Sequence, residues 1–141
     1  VLDGKTWFLP FGQLSAENKA APNQDTLYEI GSITKVFTAT LLADAVENQK
    51  TLKLDQTIAD AIPELAKLNQ EVASKITLRQ LAQHMSGLPR MPDNIVPKDP
   101  NNPFAGYDRK LLYEYFATAK LAHEPGSKND YSNLGVGMLG D

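Results

Sequence analysis

A serine and a lysine three residues apart carry the clearest chemical signal in this chain. Ser32 offers a hydroxyl group and Lys35 an amine. Residues three apart lie on the same face of a helix, so the two side chains can touch if a helix begins near Ser32. A lysine that is neutral can take the proton of a serine hydroxyl and so activate it as a nucleophile. The pair therefore fits covalent acyl transfer through a serine ester, although serine and lysine at this spacing are common and prove little by themselves.

Two further side chains that suit this chemistry lie about a hundred residues later. Tyr131 is a phenol that can take or give a proton, and a nearby cation would lower its pKa. Asn133 can orient Lys35 and donate a hydrogen bond to a substrate carbonyl. Both follow residues 124–127, whose Pro-Gly pair predicts a turn. Together the two motifs need neither a histidine nor a metal ion for catalysis.

A purely structural interpretation exists for each of these residues. Ser32 could cap a helix and leave Lys35 in solvent. Tyr131 could be a core residue and Asn133 a helix cap. The sequence after Ser32 favours the catalytic interpretation, because residues 33–46 are apolar around most of the helix circumference, which predicts a buried helix. A lysine in the first turn of such a helix would be partly removed from water.

The elements that would position these residues are mostly helices. Five helical segments are predicted: residues 32–47, a short stretch that Asp55 caps and Pro63 interrupts or restarts, residues 77–85 with a capping box, a helix from Asp108 onward, and the beginning of a helix at residues 134–139. Near the N-terminus, Asp3-Gly4 predicts a hairpin turn and residues 5–12 a strand. We interpret His84 as a residue that forms hydrogen bonds at a helix end, not as a catalyst.

Composition excludes several classes of function. The chain has 14 basic and 17 acidic residues and a net charge of −3, without a basic stripe, so no nucleic acid partner is expected. It has no cysteine, which excludes disulfides and thiol catalysis. The two histidines lack acidic or cysteine partners at ligand spacing, so neither a metal nor another cofactor is expected. No segment reaches transmembrane length, and contact with a membrane surface would require an anchor outside this sequence.

Four segments, in order along the chain, resemble the serine β-lactamase and penicillin-binding protein superfamily. Residues 28–39 resemble its active-site helix, and residues 76–81 and 84–89 the segment between its first two catalytic motifs. Pro125-Gly126-Ser127 with Tyr131-Ser132-Asn133 resembles the second motif in its tyrosine form. That form is typical of class C β-lactamases and related DD-peptidases and esterases, whereas class A enzymes use Ser-Asp-Asn.

The resemblance implies an α/β plus all-α fold, mostly helical here with a short antiparallel β piece near the N-terminus. Residues 1–49 would belong to the α/β domain and residues 50–141 to the helical domain. It also implies site roles: Ser32 as nucleophile, Lys35 and Tyr131 in proton transfer, and Asn133 in substrate binding. The substrates would be β-lactams or the D-alanyl-D-alanine peptides of peptidoglycan, and the location periplasmic or otherwise extracytoplasmic.

The same resemblance implies a third motif that this sequence does not contain. Such proteins carry Lys-Thr-Gly or His-Thr-Gly on a strand that supplies the second N–H of the oxyanion hole. We therefore expect these residues to be the N-terminal part of a parent protein, inactive alone and partnered by its C-terminal part. Two alternatives stay open, namely an esterase on the same scaffold and a non-catalytic homologue or fragment that only binds.

Overall fold

Every regular secondary-structure element among the described residues is a helix. The computed structural model describes residue 1 and residues 3–141. In chain order the helices are α1 (Thr34–Glu47), α2 (Ile58–Ala61), α3 (Pro63–Leu68), α4 (Gln70–Ala73), α5 (Leu78–Ala82), α6 (Arg109–Thr118) and α7 (Asn133–Leu139). A 3-10 turn, Gly31–Ile33, precedes α1. No helix in the described ranges is long and apolar enough to cross a membrane.

The chain divides into two compact units, residues 1–31 and residues 32–141. In the first unit, Asp3 and Gly4 have φ of 50° and 73°. A type I′ hairpin turn requires positive φ at both central residues, so the predicted turn is present; Leu2 lies outside the described residues. The domain boundary predicted after residue 49 stays a prediction.

The strand predicted for residues 5–12 is not found. Lys5 occupies an isolated bridge position, and residues 6–12 are neither strand nor helix. A strand exists only where its backbone N–H and C=O groups pair with a neighbour. No backbone hydrogen bond joins residues 6–12 to another part of the chain that the structure describes. The composition of this segment favours a strand, but its backbone has no pairing partner among the described residues.

Helix α1 is apolar around its circumference, yet Leu42 is its one buried residue in the described structure. Val36, Phe37 and Leu41 are 63%, 61% and 70% exposed. The prediction of a buried helix is therefore wrong for the described residues. An apolar sequence becomes buried only where another element covers it. Within residues 32–141 the main helical neighbour of α1 is α7, and it covers a single side of α1.

The short helices α2 and α5 begin with reciprocal caps. At α5 the predicted capping box is present: the Gln80 N–H donates to Thr77 Oγ1 (3.2 Å), and the Thr77 N–H donates to Gln80 Oε1 (2.9 Å). Thr57 and Asp60 form the same arrangement at α2. Helix α5 ends at Ala82, earlier than predicted, because the chain turns at His84, whose φ is +58°.

The core of residues 32–141 is formed mainly by α2 to α7. Its buried members are Leu42, Ile58, Leu65, Val72, Ala73, Ile76, Leu78, Leu81, Leu88, Phe116, Ala119, Leu134 and Met138. Helix α6 begins after Asp108 as predicted, with Asp108 Oδ1 accepting the Leu111 N–H at 3.0 Å, and it buries Phe116. Helix α7 packs against α5 and α1, which brings the start of α7 close to the start of α1.

Backbone hydrogen bonds fix the segment after α5 to the segment before α7. The Asp130 N–H donates to the His84 carbonyl at 2.7 Å, and the Asn133 N–H donates to the Arg90 carbonyl at 2.9 Å. Between these, Gly87 has a φ of +77°, and a Cβ there would lie 2.3 Å from the His123 carbonyl oxygen. Only glycine fits this close backbone approach. The result is a loop pair that presents residues 131–133 at a defined position.

Candidate active site

Four side chains from distant parts of the sequence meet in one hydrogen-bonded cluster within residues 32–141. Ser32 Oγ lies 2.7 Å from the Tyr131 hydroxyl oxygen. Lys35 Nζ donates to Ser32 Oγ at 3.2 Å and to Asn133 Oδ1 at 2.7 Å. The structure thus brings together all four residues that the sequence singled out. We refer to Ser32, Lys35, Tyr131 and Asn133 as the site cluster.

The start of α1 supplies two members of the site cluster. Ser32 lies in the 3-10 turn and Lys35 in the first turn of α1, so their spacing of three places both on one face. Ser32 is exposed and Lys35 is half-buried. The residue at the N-cap position, Ile33, forms no side-chain hydrogen bond to the helix. Because the first N–H groups of a helix lack backbone partners and carry partial positive charge, this end of α1 favours negative charge near Ser32.

The loop before α7 supplies the other two members, with a buried serine between them. Ser132 is fully buried; its Oγ accepts the Gly135 N–H at 2.8 Å and donates to the Pro89 carbonyl at 2.7 Å. Its backbone is extended, and neighbouring side chains of extended backbone point to opposite sides. Anchoring Ser132 in the core therefore turns Tyr131 and Asn133 outward. Asn133 is the first residue of α7 and not its cap, so the alternative interpretation of Asn133 is wrong.

The surroundings of Tyr131 stabilise its ionised form. The Lys35 ammonium beside the phenol oxygen is the largest cause that lowers the pKa of Tyr131, followed by the hydrogen bond with Ser32. The Arg90 guanidinium, 4.9 Å from the centre of the Tyr131 ring, lowers this pKa further. A nearby positive charge, or a hydrogen bond donated to the ionised oxygen, favours the charged form of an acid. At a given pH a larger fraction of Tyr131 is therefore phenolate, the form that can accept a proton, than of a free tyrosine.

Sequence reasoning missed three residues that contact the site cluster. The His84 ring lies 4.3 Å from the Tyr131 ring, centre to centre, and its Nδ1 accepts the Ser132 N–H at 3.2 Å. Met91 Sδ accepts a hydrogen bond from Asn133 Nδ2 at 3.3 Å, and Arg90 lies over Tyr131 as described. The interpretation of His84 as a hydrogen-bonding residue at a helix end is confirmed. The resemblance of residues 84–89 to a segment between two catalytic motifs was the available signal for this neighbourhood.

The described residues contain no group of three or more histidine, cysteine, aspartate or glutamate side chains that could hold a metal ion. A hydroxyl, a phenol with a lowered pKa, an ammonium and a carboxamide can together carry out nucleophilic attack and proton transfer.

Comparison with known proteins gives one family. The family model described as Beta-lactamase matches residues 1–141. The D-alanyl-D-alanine-carboxypeptidase/endopeptidase AmpH of Escherichia coli is 33% identical over 142 residues, which cover 100% of this chain and 36% of that protein. A beta-lactamase of Providencia stuartii is 34% identical over 141 residues, covering 99% of this chain and 33% of that protein.

A solved structure gives the same result. A crystal structure of a class C beta lactamase superposes with a TM-score of 0.76 at 29% identity, covering 99% of this chain and 35% of that one. The chain thus spans about a third of the length of the relatives that it matches. Family model, sequence relatives and structure agree, and the chain belongs to the beta-lactamase family.

Proposed function

We propose that these residues carry the nucleophile and proton-transfer groups of a serine hydrolase that acts through an acyl-enzyme. The observation that carries the proposal is the position of Ser32 Oγ between the Tyr131 hydroxyl (2.7 Å) and Lys35 Nζ (3.2 Å). Membership of the beta-lactamase family supports it. The proposed substrates are β-lactams or peptides that end in D-alanyl-D-alanine, since the relatives are named as beta-lactamases and a carboxypeptidase.

In this proposal Tyr131 takes the proton of Ser32. A lysine ammonium can only donate hydrogen bonds, so Lys35 uses one lone pair of Ser32 Oγ and leaves the Ser32 hydrogen for Tyr131. The lowered pKa of Tyr131 increases the fraction of phenolate, which is the form that can accept this proton. As the proton moves to Tyr131, Ser32 Oγ attacks the substrate carbonyl carbon and forms a tetrahedral intermediate. The scissile C–N bond then breaks, and the proton on Tyr131 passes to the leaving nitrogen.

The remaining groups stabilise charge and orient the substrate. The unpaired N–H groups at the start of α1 would face the oxyanion that forms beside Ser32. Asn133 keeps Lys35 in place through its Oδ1, while its Nδ2 donates to Met91 Sδ, a weak acceptor. A substrate carbonyl is a stronger acceptor for Nδ2 than a thioether. Replacing the contact with Met91 by one with the substrate therefore costs little free energy. Water then attacks the serine ester as Tyr131 accepts its proton; the ester bond to Ser32 breaks, Tyr131 returns the proton to Ser32 Oγ, and the acid product leaves.

We propose three further features of the whole protein. It acts outside the cytoplasm, where peptidoglycan peptides are found. Residues 1–49 form part of an α/β domain and residues 50–141 part of a helical domain. Residues 1–141 alone do not turn over substrate, because the exposed apolar side of α1 (Val36, Phe37 and Leu41) lacks the packing that a preorganised site requires. The exposed surface also favours self-association of the isolated residues.

Covalent labelling tests the proposal. A fluorescent penicillin, applied to the gene product in which this chain occurs, should label Ser32, and Ser32→Ala should abolish the labelling. Ser74→Ala, which changes an exposed serine on α4's C-terminal side, is the matched control and should label normally. Undiminished labelling of Ser32→Ala would place the nucleophile elsewhere.

The same experiment separates the alternatives. Labelling by a fluorophosphonate and hydrolysis of nitrophenyl esters, without reaction toward penicillin, would favour an esterase on this scaffold. Reversible binding of penicillin without any covalent adduct would favour a binding protein. Either result would replace the proposed substrate class.

A further inference from the structure

We propose that His84 is a positioning residue for Tyr131: its Nδ1 holds the backbone next to the tyrosine so that the phenol meets Ser32. The inference rests on the proposed role of Tyr131 as proton acceptor. His84 does not belong to the site cluster itself. In the described structure, the His84 side chain accepts a hydrogen bond from the backbone N–H of Ser132.

His84 binds the chain on both sides of Tyr131. Its carbonyl oxygen accepts the Asp130 N–H at 2.7 Å, and its Nδ1 accepts the Ser132 N–H at 3.2 Å. The residue between these two bonds is Tyr131, whose ring lies 4.3 Å from the His84 ring at an interplanar angle of 31°. One residue thus fixes the backbone before Tyr131, the backbone after it and one side of its ring.

The backbone of His84 makes this double contact possible. Its φ of +58° lies in the left-handed region, which non-glycine residues seldom occupy and in which histidine, asparagine and aspartate are enriched. This conformation ends α5 and directs both the carbonyl and the side chain of His84 toward residues 130–132. Because Nδ1 accepts a hydrogen bond, the neutral ring must carry its hydrogen on Nε2.

Positioning matters here because the two sides of the 2.7 Å contact come from different elements. Ser32 is held by the start of α1, whereas the phenol of Tyr131 is held by the loop before α7. A displacement of about 1 Å at a reacting group can cost on the order of 10²-fold in rate. The hydrogen bond of His84 Nδ1 holds Ser132, the residue next to Tyr131. Its loss should therefore change the distance between the Tyr131 hydroxyl and Ser32 Oγ.

Two substitutions isolate the acceptor at position 84. His84→Gly and His84→Asn both tolerate positive φ, and both keep the backbone bond to Asp130. They differ because asparagine places Oδ1 where histidine has Nδ1. In the complete gene product we expect His84→Gly to slow acylation of Ser32 by roughly 10- to 100-fold. We expect His84→Asn to stay within about threefold of the original protein, since the acceptor is restored.

Controls separate positioning from folding. His123→Asn changes the other histidine, whose Nδ1 contacts Glu124 and Ser127, and should leave acylation unchanged. Circular dichroism and a thermal melt establish that each variant is folded. If His84→Gly is unfolded at the assay temperature, the comparison with His84→Asn is made at a lower temperature at which the thermal melt shows both variants folded.

A second readout does not depend on activity. In protein labelled with ¹³Cζ-tyrosine, the Tyr131 resonance is assigned by its loss in Tyr131→Phe, and its titration midpoint is followed by NMR. We expect the midpoint to rise in His84→Gly, as the phenol moves away from Lys35 and Ser32, and to remain near the original value in His84→Asn. If Ser32 proves not to be acylated, the proposed function fails and this titration still decides the role of His84. Equal effects of glycine and asparagine, or no effect of either, would overturn the inference.

Discussion

Helices α1 and α7 meet at the candidate site but are held in the molecule in different ways. Each presents a site residue in its first turn, Lys35 in α1 and Asn133 in α7. Four of the seven residues of α7 are buried, and its N-cap, Ser132, bonds the helix backbone. Leu42 is the one buried residue described among the 14 of α1, and its N-cap position forms no side-chain bond.

This difference suggests that α7 contributes more to the stability of the fold, whereas the start of α1 contributes more to the proposed chemistry. The position of Tyr131 and Asn133 is fixed by packing and by the cap of α7, whereas the polar end of α1 is joined to them through Lys35, Ser32 and their hydrogen bonds. Substitutions in the polar end of α1 should therefore change catalysis more than folding. Substitutions in the buried side of α7 should change folding first.

The largest effect is expected at Lys35. Lys35→Ala should slow acylation of Ser32 by roughly 10²–10⁴-fold, because it removes the ammonium that bonds Ser32 Oγ and favours the phenolate of Tyr131, the proposed proton acceptor. The free energy of unfolding should change by less than about 0.5 kcal/mol, as is usual for a side chain outside the core. Stopped-flow acylation and urea denaturation measure the two quantities, with Lys110→Ala, on the exposed side of α6, as control. A rate loss below about tenfold would remove Lys35 from the mechanism.

Truncation of a core residue in α7 should have the opposite profile. Met138 is 1% exposed and Leu41 of α1 is 70% exposed. Met138→Ala should destabilise the fold by about 2–5 kcal/mol through lost contacts and a cavity. In residues 1–141 alone, Leu41→Ala should change stability by less than about 0.5 kcal/mol. Urea denaturation compares the pair, and similar losses in both variants would mean that α1 is packed as firmly as α7.

Removal of the α7 cap should have an intermediate effect. Ser132→Ala deletes the acceptor of the Gly135 N–H and the donor to the Pro89 carbonyl, so it should cost about 1–2 kcal/mol. Ser74→Ala, whose Oγ makes a long 3.4 Å contact in an exposed turn, is the control and should be nearly neutral. A thermal melt distinguishes the two variants. Equal stability would show that packing alone holds the start of α7.

The smallest effect concerns the contribution of each cation to the pKa of Tyr131. Lys35 is the largest cause of the lowered pKa and the charge of Arg90 a smaller one. Lys35→Ala should therefore raise the Tyr131 pKa more than Arg90→Ala, as measured by NMR titration. Because the phenolate is the proposed proton acceptor, acylation should increase as pH rises through this pKa, and Arg90→Ala should move that limb of the pH–rate profile to higher pH. A limb that stays in place would exclude Arg90 from this electrostatic role.

Features set by neighbouring residues could be predicted from the sequence. The capping box at Thr77, the cap at Asp108 and the turn at Asp3-Gly4 each depend on residues within one helical turn or one hairpin. The contact of Ser32 with Lys35 follows from helical spacing in the same way. The approach of Tyr131 to Ser32 required the resemblance to a known family, since no local pattern relates residues so far apart.

Features that need a distant partner could not be predicted from the residues alone. The apolar circumference of α1 predicted burial, but burial depends on what lies beside a helix. Residues 5–12 have strand-forming composition, but a strand depends on a neighbour to pair with. The stacking of His84 on Tyr131 arises because the loops after α5 and before α7 run side by side, which neither loop encodes by itself.

The hydrogen bonds around Tyr131 have a consequence for the entropy of catalysis. With the N–H groups of residues 130, 132 and 133 all bonded to the segment 84–90, the backbone of Tyr131 is ordered when the protein folds. The phenol retains only the two torsions of its own side chain. Ordering the backbone of one residue costs roughly 1–2 kcal/mol, and here that cost belongs to folding. Substrate binding therefore does not have to order the backbone of Tyr131, and more of the binding free energy stays available for the proposed acyl transfer.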